Sequence, residues 1–266
     1  MRPLAEFPLA ARRAVRGVLT DIDDTLTTEG HLTAAAYAAL ERLRAAGLRV
    51  VPVTGRPAGW CDHIARMWPV DAVVGENGAF YFCFSQGKLH KKFQHTSQVR
   101  ALNRNRLQAI GARILEQVPG CALSSDQPYR ETDLAVDYCE DVPPLPLETA
   151  GRIAALMRSA GLTAKISSIH VNGWFGGYDK LAMTKRLFSE MFNVDQERLP
   201  QEFAFAGDSP NDAPMFSHFD ASVGVANVAR FSGKMEAEPK YVTRSAAGAG
   251  LAELVAHLIG QLPGER

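Results

Sequence analysis

The sequence predicts an α/β protein: a doubly wound parallel sheet with helices on both faces and an α+β unit inserted into it. Short apolar runs joined by helical stretches fill the first 75 residues and resume after residue 178, a pattern that needs crossover connections between parallel strands. The roughly 80 residues from about 93 to 177 combine a helix-like stretch with alternating strands, a different layer architecture. Two of the apolar runs end in aspartate clusters, which puts acidic groups where open α/β sheets bind ligands.

Residues 14–20 (AVRGVLT) form the first expected strand. Residues 33–47 form a helix, with Thr33 as N-cap and Gly47 just past its end. A strand over 48–54 (LRVVPVT) and a helix over 56–68 follow, and a third strand opens 71–78 (DAVVGENG). AFYFCF and KLHKKF flank Ser85, Gln86 and Gly87 and read as a hairpin. After it come a helix over 97–117, an alternating strand over 132–140, the Pro-rich link DVPPLPLE, a helix over 147–160 and a strand over 163–172. The Gly-rich GWFGG follows, and its Gly173, Gly176 and Gly177 suit a hinge. Then come a helix from Asp179, a strand over 202–208 (EFAFAGD), a short helix, a strand ASVGVA and a last helix ending near Leu262. These elements divide the chain into a core of residues 1–92 and 178–266 and an inserted cap of residues 93–177.

Composition narrows the function. The 29 basic and 29 acidic residues balance, so the chain has no electrostatic reason to bind nucleic acid or an anionic membrane. No apolar run approaches the roughly 18 residues of a membrane span, and the N-terminus lacks the apolar core of a secretory signal. Cys61, Cys83, Cys121 and Cys139 are scattered without a C-x-x-C pair, which suits structural thiols in a reducing cytoplasm. The expectation is a cytoplasmic protein, a monomer or small homo-oligomer.

The stretch VLTDIDDTL places Asp21, Asp23 and Asp24 directly after the first apolar run. Two unit charges about 4 Å apart repel by roughly 4 kcal/mol at an effective dielectric near 20, so such crowding calls for a cation, a phosphate or a turn. By itself the stretch also reads as an Asp-rich turn or helix cap. Leu26 at the position that needs glycine excludes an EF-hand. FAFAGDSPND repeats the arrangement with Asp208, Asn211 and Asp212. If the two clusters converge, Asp21, Asp208 and Asp212 make a hard-oxygen site suited to Mg²⁺. In VPVTGRP, the Thr54 hydroxyl, Gly55 and the helix start near Arg56 form an anion site or a plain N-cap. Lys180 falls in the first turn of a helix behind Asp179, where the dipole disfavours a cation. A phosphate or an ionised aspartate would explain it, and so would a solvated surface.

The order D-x-D-x-T, strand-Thr-Gly-Arg, Lys and G-D-x-x-N-D resembles the haloacid dehalogenase-like phosphohydrolases. ENGA at 76–79 and the position of the insert resemble the Cof-type and sugar-phosphate phosphatase branch, with its class IIB α/β cap. The resemblance implies a Rossmann-like core and a Mg²⁺-dependent phosphatase of a small phosphorylated metabolite such as a sugar phosphate. It implies that Asp21 is the nucleophile and Asp23 the acid and base, that Thr54 holds a phosphate oxygen, and that Lys180 neutralises Asp21 and the phosphoryl group. Asp208, the Asp21 carboxylate and the Asp23 carbonyl would bind the metal, with Asp212 and Asn211 completing or orienting its shell. An acid two residues after the nucleophile favours phosphate chemistry over dehalogenation, because an alkoxide needs a proton to leave and a halide does not.

In the cap, His170 and Asn172 could face the site or simply pack, Trp174 and Phe175 could stack on a sugar or fill a core, and Arg56 could contact substrate. Lys91 and Lys92 read as a solvated hairpin face. A phosphomutase, a metal-dependent nucleotide-sugar glycosyltransferase and a non-catalytic binding protein are the competing readings. The glycosyltransferase leaves G-D-x-x-N-D, Thr54 and Lys180 without a role.

Overall fold

In the computed structural model, which describes residues 1–260, the strand Gly17–Thr20 lies inside a six-stranded sheet. The order is Arg2–Pro3, Tyr241–Val242, Ala221–Gly224, Phe203–Gly207, Gly17–Thr20 and Arg49–Pro52, and every adjacent pair is parallel. A single bridge between Val53 and Val74 carries the sheet on to Val73–Gly75. That strand pairs antiparallel with Phe80–Ser85, which pairs with Lys88–Phe93. The hairpin turns through Gln86 (φ 50) and Gly87 (φ 74), the two positive dihedrals of a tight two-residue loop.

Strand side chains alternate between the two faces. Val18, Val50, Ala204 and Ala206 pack with Leu40 and Leu43 of the helix Ala34–Ala45 and with Leu251 and Leu254 of the helix Ala247–Ile259. Leu19, Val51, Phe203 and Phe205 pack with Leu187 and Phe188 of the helix Lys180–Phe192 and with Phe216. The small alanines admit helices closely on one face, and the phenylalanines fill the wider gap on the other. Full burial of one such ring contributes about 2–3 kcal/mol.

Local signals account for most boundaries. The Thr33 hydroxyl accepts from Ala36 N at 3.3 Å, and Gly47 (φ 76) follows the helix end. The first strand is shorter than expected because a helix, Leu9–Ala14, occupies its beginning. The end expected near Leu262 lies outside the described residues. No helix among the described residues is long and apolar enough to cross a membrane.

The inserted unit is a four-stranded antiparallel sheet ordered Ala122–Leu123, Asp133–Asp137, His170–Trp174 and Thr163–Ile166. Leu134, Val136, Val171 and Ala164 point into a separate apolar cluster under the helices Ser97–Gln117 and Leu147–Ser159. The strand expected over 163–172 is two strands. Ser167 breaks it: its hydroxyl accepts from His170 N at 3.0 Å, and its N–H donates to His170 O at 2.9 Å. Gly173, expected at a hinge, therefore sits inside a strand, where a Cβ would lie 2.7 Å from Met157 Sδ. Trp174 is buried against Tyr178, with ring centroids 5.7 Å apart, and its indole N–H donates to Tyr178 O. It is a packing residue, not a sugar platform.

The turn Glu76–Gly78 seats the start of the helix Lys180–Phe192. At Gly78 φ is 102, and a Cβ would lie 1.9 Å from the Asp179 carbonyl oxygen. Gly78→Ala should cost roughly 3 kcal/mol from steric conflict and backbone strain. Calorimetry should show an unfolding temperature lower by about 6–12 °C for a chain of this size.

Candidate active site

From Gly17–Thr20 the chain crosses to Arg49–Pro52 on one side, and it returns at Phe203–Gly207 on the other. The sheet therefore reverses direction between these two neighbours, where an open crevice forms at the carboxyl ends. Asp21 and Asp208 are the residues immediately past those two ends. Asp21 N donates to Ala206 O at 2.8 Å, which locks the two strand ends together. Pro210 opens the next turn and brings Asp212 back over the strand. A Cβ at Gly207 would lie 2.5 Å from Asp212 Oδ2, so only glycine lets the turn fold this tightly. Carboxylate oxygens of Asp21, Asp208 and Asp212 lie within 4.8 Å of one another, all buried.

Lys180 enters from the helix capped by Asp179, whose carboxylate accepts from Ala182 N at 2.8 Å. Only 1% exposed, the lysine donates to Asp21 Oδ1 at 2.9 Å and to Asp212 Oδ1 at 2.6 Å. These two aspartates explain a cation in the first turn of a helix. Asp212 Oδ2 accepts from the N–H groups of Asp208 (3.1 Å) and Ser209 (3.2 Å). Burial would lower the Lys180 ammonium, but Asp21 and Asp212 outweigh it and hold it above its ordinary range. Burial pushes Asp21 up to about 8, with Lys180 opposing and Asp212 and Asp23 adding to the rise. Asp208 is driven well above the carboxylate range by burial, then by Asp21 and Asp212. Three crowded carboxylates in oxygen-only surroundings are what a hard divalent cation relieves, so this cluster could hold a metal.

Thr54, Gly55 and Arg56 lie beside this cluster. The Thr54 hydroxyl accepts from Arg56 N at 3.0 Å. A Cβ on Gly55 would meet Asn77 Nδ2 at 3.1 Å and Asn172 Oδ1 at 3.6 Å, so cap and core meet over this glycine. Asn211 donates to Asn77 Oδ1 at 3.1 Å and accepts from the Ser209 hydroxyl at 2.7 Å. The Arg56 guanidinium does not project freely toward a phosphate. Its Nε donates to both Asp23 oxygens (2.8 and 3.0 Å), Nη1 to Asp126 Oδ2 (3.3 Å) and Nη2 to Glu140 Oε1 (2.6 Å). His170 Nε2 lies 2.8 Å from Glu140 Oε2, and Asn172 Nδ2 donates to Asp133 Oδ2 at 2.9 Å. Burial would raise Glu140, but His170 and Arg56 override it and bring it down to about 2. Asp23 and Arg56 also wall a cavity of about 390 Å³ shared with Trp60, His63 and Trp68.

Four residues at the site were not singled out from sequence. Asn227 donates to Asp208 Oδ2 at 3.1 Å and to Asp24 O at 2.9 Å. Arg230 donates to the same Asp208 oxygen at 3.2 Å and to Asp24 Oδ2 at 2.9 Å. Both follow the strand Ala221–Gly224, and that strand-end position was the available signal. Asp126 and Glu140 lie in cap loops and carried no signal before the cap was placed.

A sequence model of the haloacid dehalogenase-like hydrolases matches residues 18–105. The phosphoglycolate phosphatase of Methanospirillum hungatei is 27% identical over 220 residues, which span 80% of this chain and 84% of that protein. A Thermoplasma acidophilum protein shares the fold with a TM-score of 0.68 at 19% identity, over 93% of this chain and 99% of its own. The Synechocystis sucrose-phosphatase, solved with sucrose and phosphate, scores 0.61 at 15% identity, over 92% and 98%. The C-terminal domain of C. albicans trehalose-6-phosphate phosphatase scores 0.68 at 14% identity, over 96% of each chain. Over residues 18–105 the chain is similar to the haloacid dehalogenase-like hydrolases, and over most of its length to a phosphatase. The D-x-D turn lies within the matched residues, which weighs against the glycosyltransferase reading.

With metal chelated, folded Asp21 keeps a proton that the unfolded chain releases, because its ordinary value of 3.8 rises to about 8. Stability from this group is therefore lost as pH rises between those two values. Urea titrations should give a steeper decline over that window for the wild type than for Asp21→Asn. Lys180→Met strands two buried carboxylates and should cost about 3–5 kcal/mol in the same titrations at pH 8.

Proposed function

We propose that the protein is a Mg²⁺-dependent phosphomonoesterase of a small phosphorylated metabolite, that a sugar phosphate is its substrate class, and that it works through a phosphorylated Asp21. The buried contact of Lys180 with Asp21 and Asp212, beside Asp208 at the sheet's reversal point, carries this reading. An Asp21 oxygen attacks phosphorus, the bond from phosphorus to the leaving oxygen breaks, and Asp23 gives that oxygen its proton. Water then attacks phosphorus, Asp23 takes a proton from it, and the bond to Asp21 breaks to free phosphate. Lys180 and the Thr54 hydroxyl, with Gly55 leaving room for close approach, hold the phosphoryl oxygens. Asn211 fixes the turn around Asp212.

Asp21, Asp208, Asp212 and the Asp23 carbonyl would hold Mg²⁺, which supplies charge neutralisation for an anion attacking an anion. Lys180 and Arg230 are the only cations that touch the three carboxylates among the described residues, so the donor set fits such an ion. The cap, placed at residues 93–177, would select the leaving group with His170 and Asn172. The buried guanidinium groups of Arg56 and Arg130 are already paired with carboxylates, which disfavours a carboxylate-bearing substrate such as phosphoglycolate.

Asp21→Asn should lower phosphate release by about 10⁴-fold or more while leaving the circular dichroism spectrum unchanged. Residual turnover near the wild-type rate would refute the mechanism. Phosphate release from sugar phosphates without a bisphosphate activator separates hydrolase from mutase. Asp208→Asn should abolish the rise in melting temperature that Mg²⁺ gives the wild type.

A further inference from the structure

We propose that Glu140, on the cap, is a positioning residue: it fixes Arg56, and Arg56 fixes the Asp23 carboxyl. The proposal rests on the assignment of Asp23 as proton donor and acceptor. Among the described residues, Asp23's carboxylate has Arg56 as its sole side-chain partner. One guanidinium nitrogen, Nη2, lies 2.7 Å from Asp23 Oδ1 and 2.6 Å from Glu140 Oε1, so the two carboxylates share it. The opposite nitrogen, Nη1, reaches Asp126 at 3.3 Å, and the plane stacks over Trp60 at 4.3 Å. Arg56 is thus held on three sides, and two of those holds come from the cap.

Both cap carboxylates are built into their own loops. Asp137, at the end of a cap strand, accepts from the N–H groups of Cys139 (2.9 Å), Glu140 (2.8 Å) and Asp141 (2.8 Å), which pins the Glu140 backbone. His170 sits against the second Glu140 oxygen. Asp126 accepts from the Ser124 hydroxyl at 2.7 Å and from Arg130 at 2.9 and 3.1 Å. A rigid relay therefore runs from the Asp137 strand end through Glu140 and Arg56 to Asp23. Its consequence is that Asp23 is correctly placed only with the cap seated over the substrate.

Glu140→Gln keeps the shape and removes the charge. On a sugar phosphate turned over by the wild type, its kcat should fall about tenfold or more, with KM within about twofold, because a displacement near 1 Å is enough to lose such a factor. With 4-nitrophenyl phosphate the leaving oxygen needs no proton. The first turnover should keep its wild-type rate and appear as a nitrophenolate burst, followed by slow turnover because water attack on phosphorylated Asp21 still needs Asp23. In an Asp23→Asn background, Glu140→Gln should add nothing further. Equal losses on both substrates without a burst, no loss on either, or additivity with Asp23→Asn would overturn the proposal. If Glu140→Gln does not fold, Asp126→Asn carries the same expectations. Wild-type turnover by Asp21→Asn would instead mark failure of the mechanism beneath it.

Discussion

One buried ammonium group, Lys180, holds the catalytic end of the sheet together. Asp21 and Asp212 come from stretches 191 positions apart in the chain, and each accepts a hydrogen bond from it. Like charges at this spacing repel by roughly 4 kcal/mol per close pair at an effective dielectric near 20, and the ammonium offsets part of that repulsion. Much of the surrounding backbone is arranged to bring Lys180 there. Asp179 caps its helix, Gly78 lets the helix start dock on the core, and Gly207 lets Asp212 fold back over its strand. The stability lost to burying like charges is a cost of the site and not of the fold, whose two apolar layers lie above and below the sheet.

The cap meets the core differently. It has an apolar cluster of its own, apart from the two that flank the core sheet. The boundary is polar and directional. Glu76 of the core accepts from the N–H groups of Glu131 and Thr132 and from the Thr132 hydroxyl, and from Ala58 N on its own side. Arg130 of the cap donates to Gly55 O at 2.8 Å and pairs with Asp126 and Asp133. Burial, then Asp133, raises Glu76 to about 7, with Arg130 opposing. Buried ion pairs of this kind contribute little net stability, because desolvation offsets their attraction. What they supply is a single docking geometry.

The α/β core was legible because apolar runs, caps and strand-end aspartates all point the same way. Thr33, Gly47 and Asp179 mark their helix boundaries by local chemistry that survives in the fold. The convergence of Asp21, Asp208 and Asp212 could be anticipated because both clusters end parallel strands, whereas the place of Lys180, in a helix, was implied only by the order of the motifs. The break at Ser167 was hidden, because TAKISSIHVN has the β-branched content of one continuous strand and the interruption rests on a single serine hydroxyl. The partners of Arg56 were hidden for another reason. Asp126 and Glu140 are brought to it by the docking of two units, a contact 70 and 84 positions distant that no local pattern encodes. Asn227 and Arg230 lie between these cases, at a strand end beside the one that carries Asp208.

The cap sheet is two-faced, and this bears on how such an enzyme changes its diet over evolutionary time. Leu134, Val136, Val171 and Ala164 face the cap helices, while the alternate positions His170, Asn172 and Lys165 share the opposite side. Because strand side chains alternate strictly, the polar positions are segregated from those that keep the module folded. Mutation on that polar side leaves the cap's apolar cluster intact, but at His170 and Asn172 it also reaches the paired groups Glu140 and Asp133, so selectivity and docking would change together.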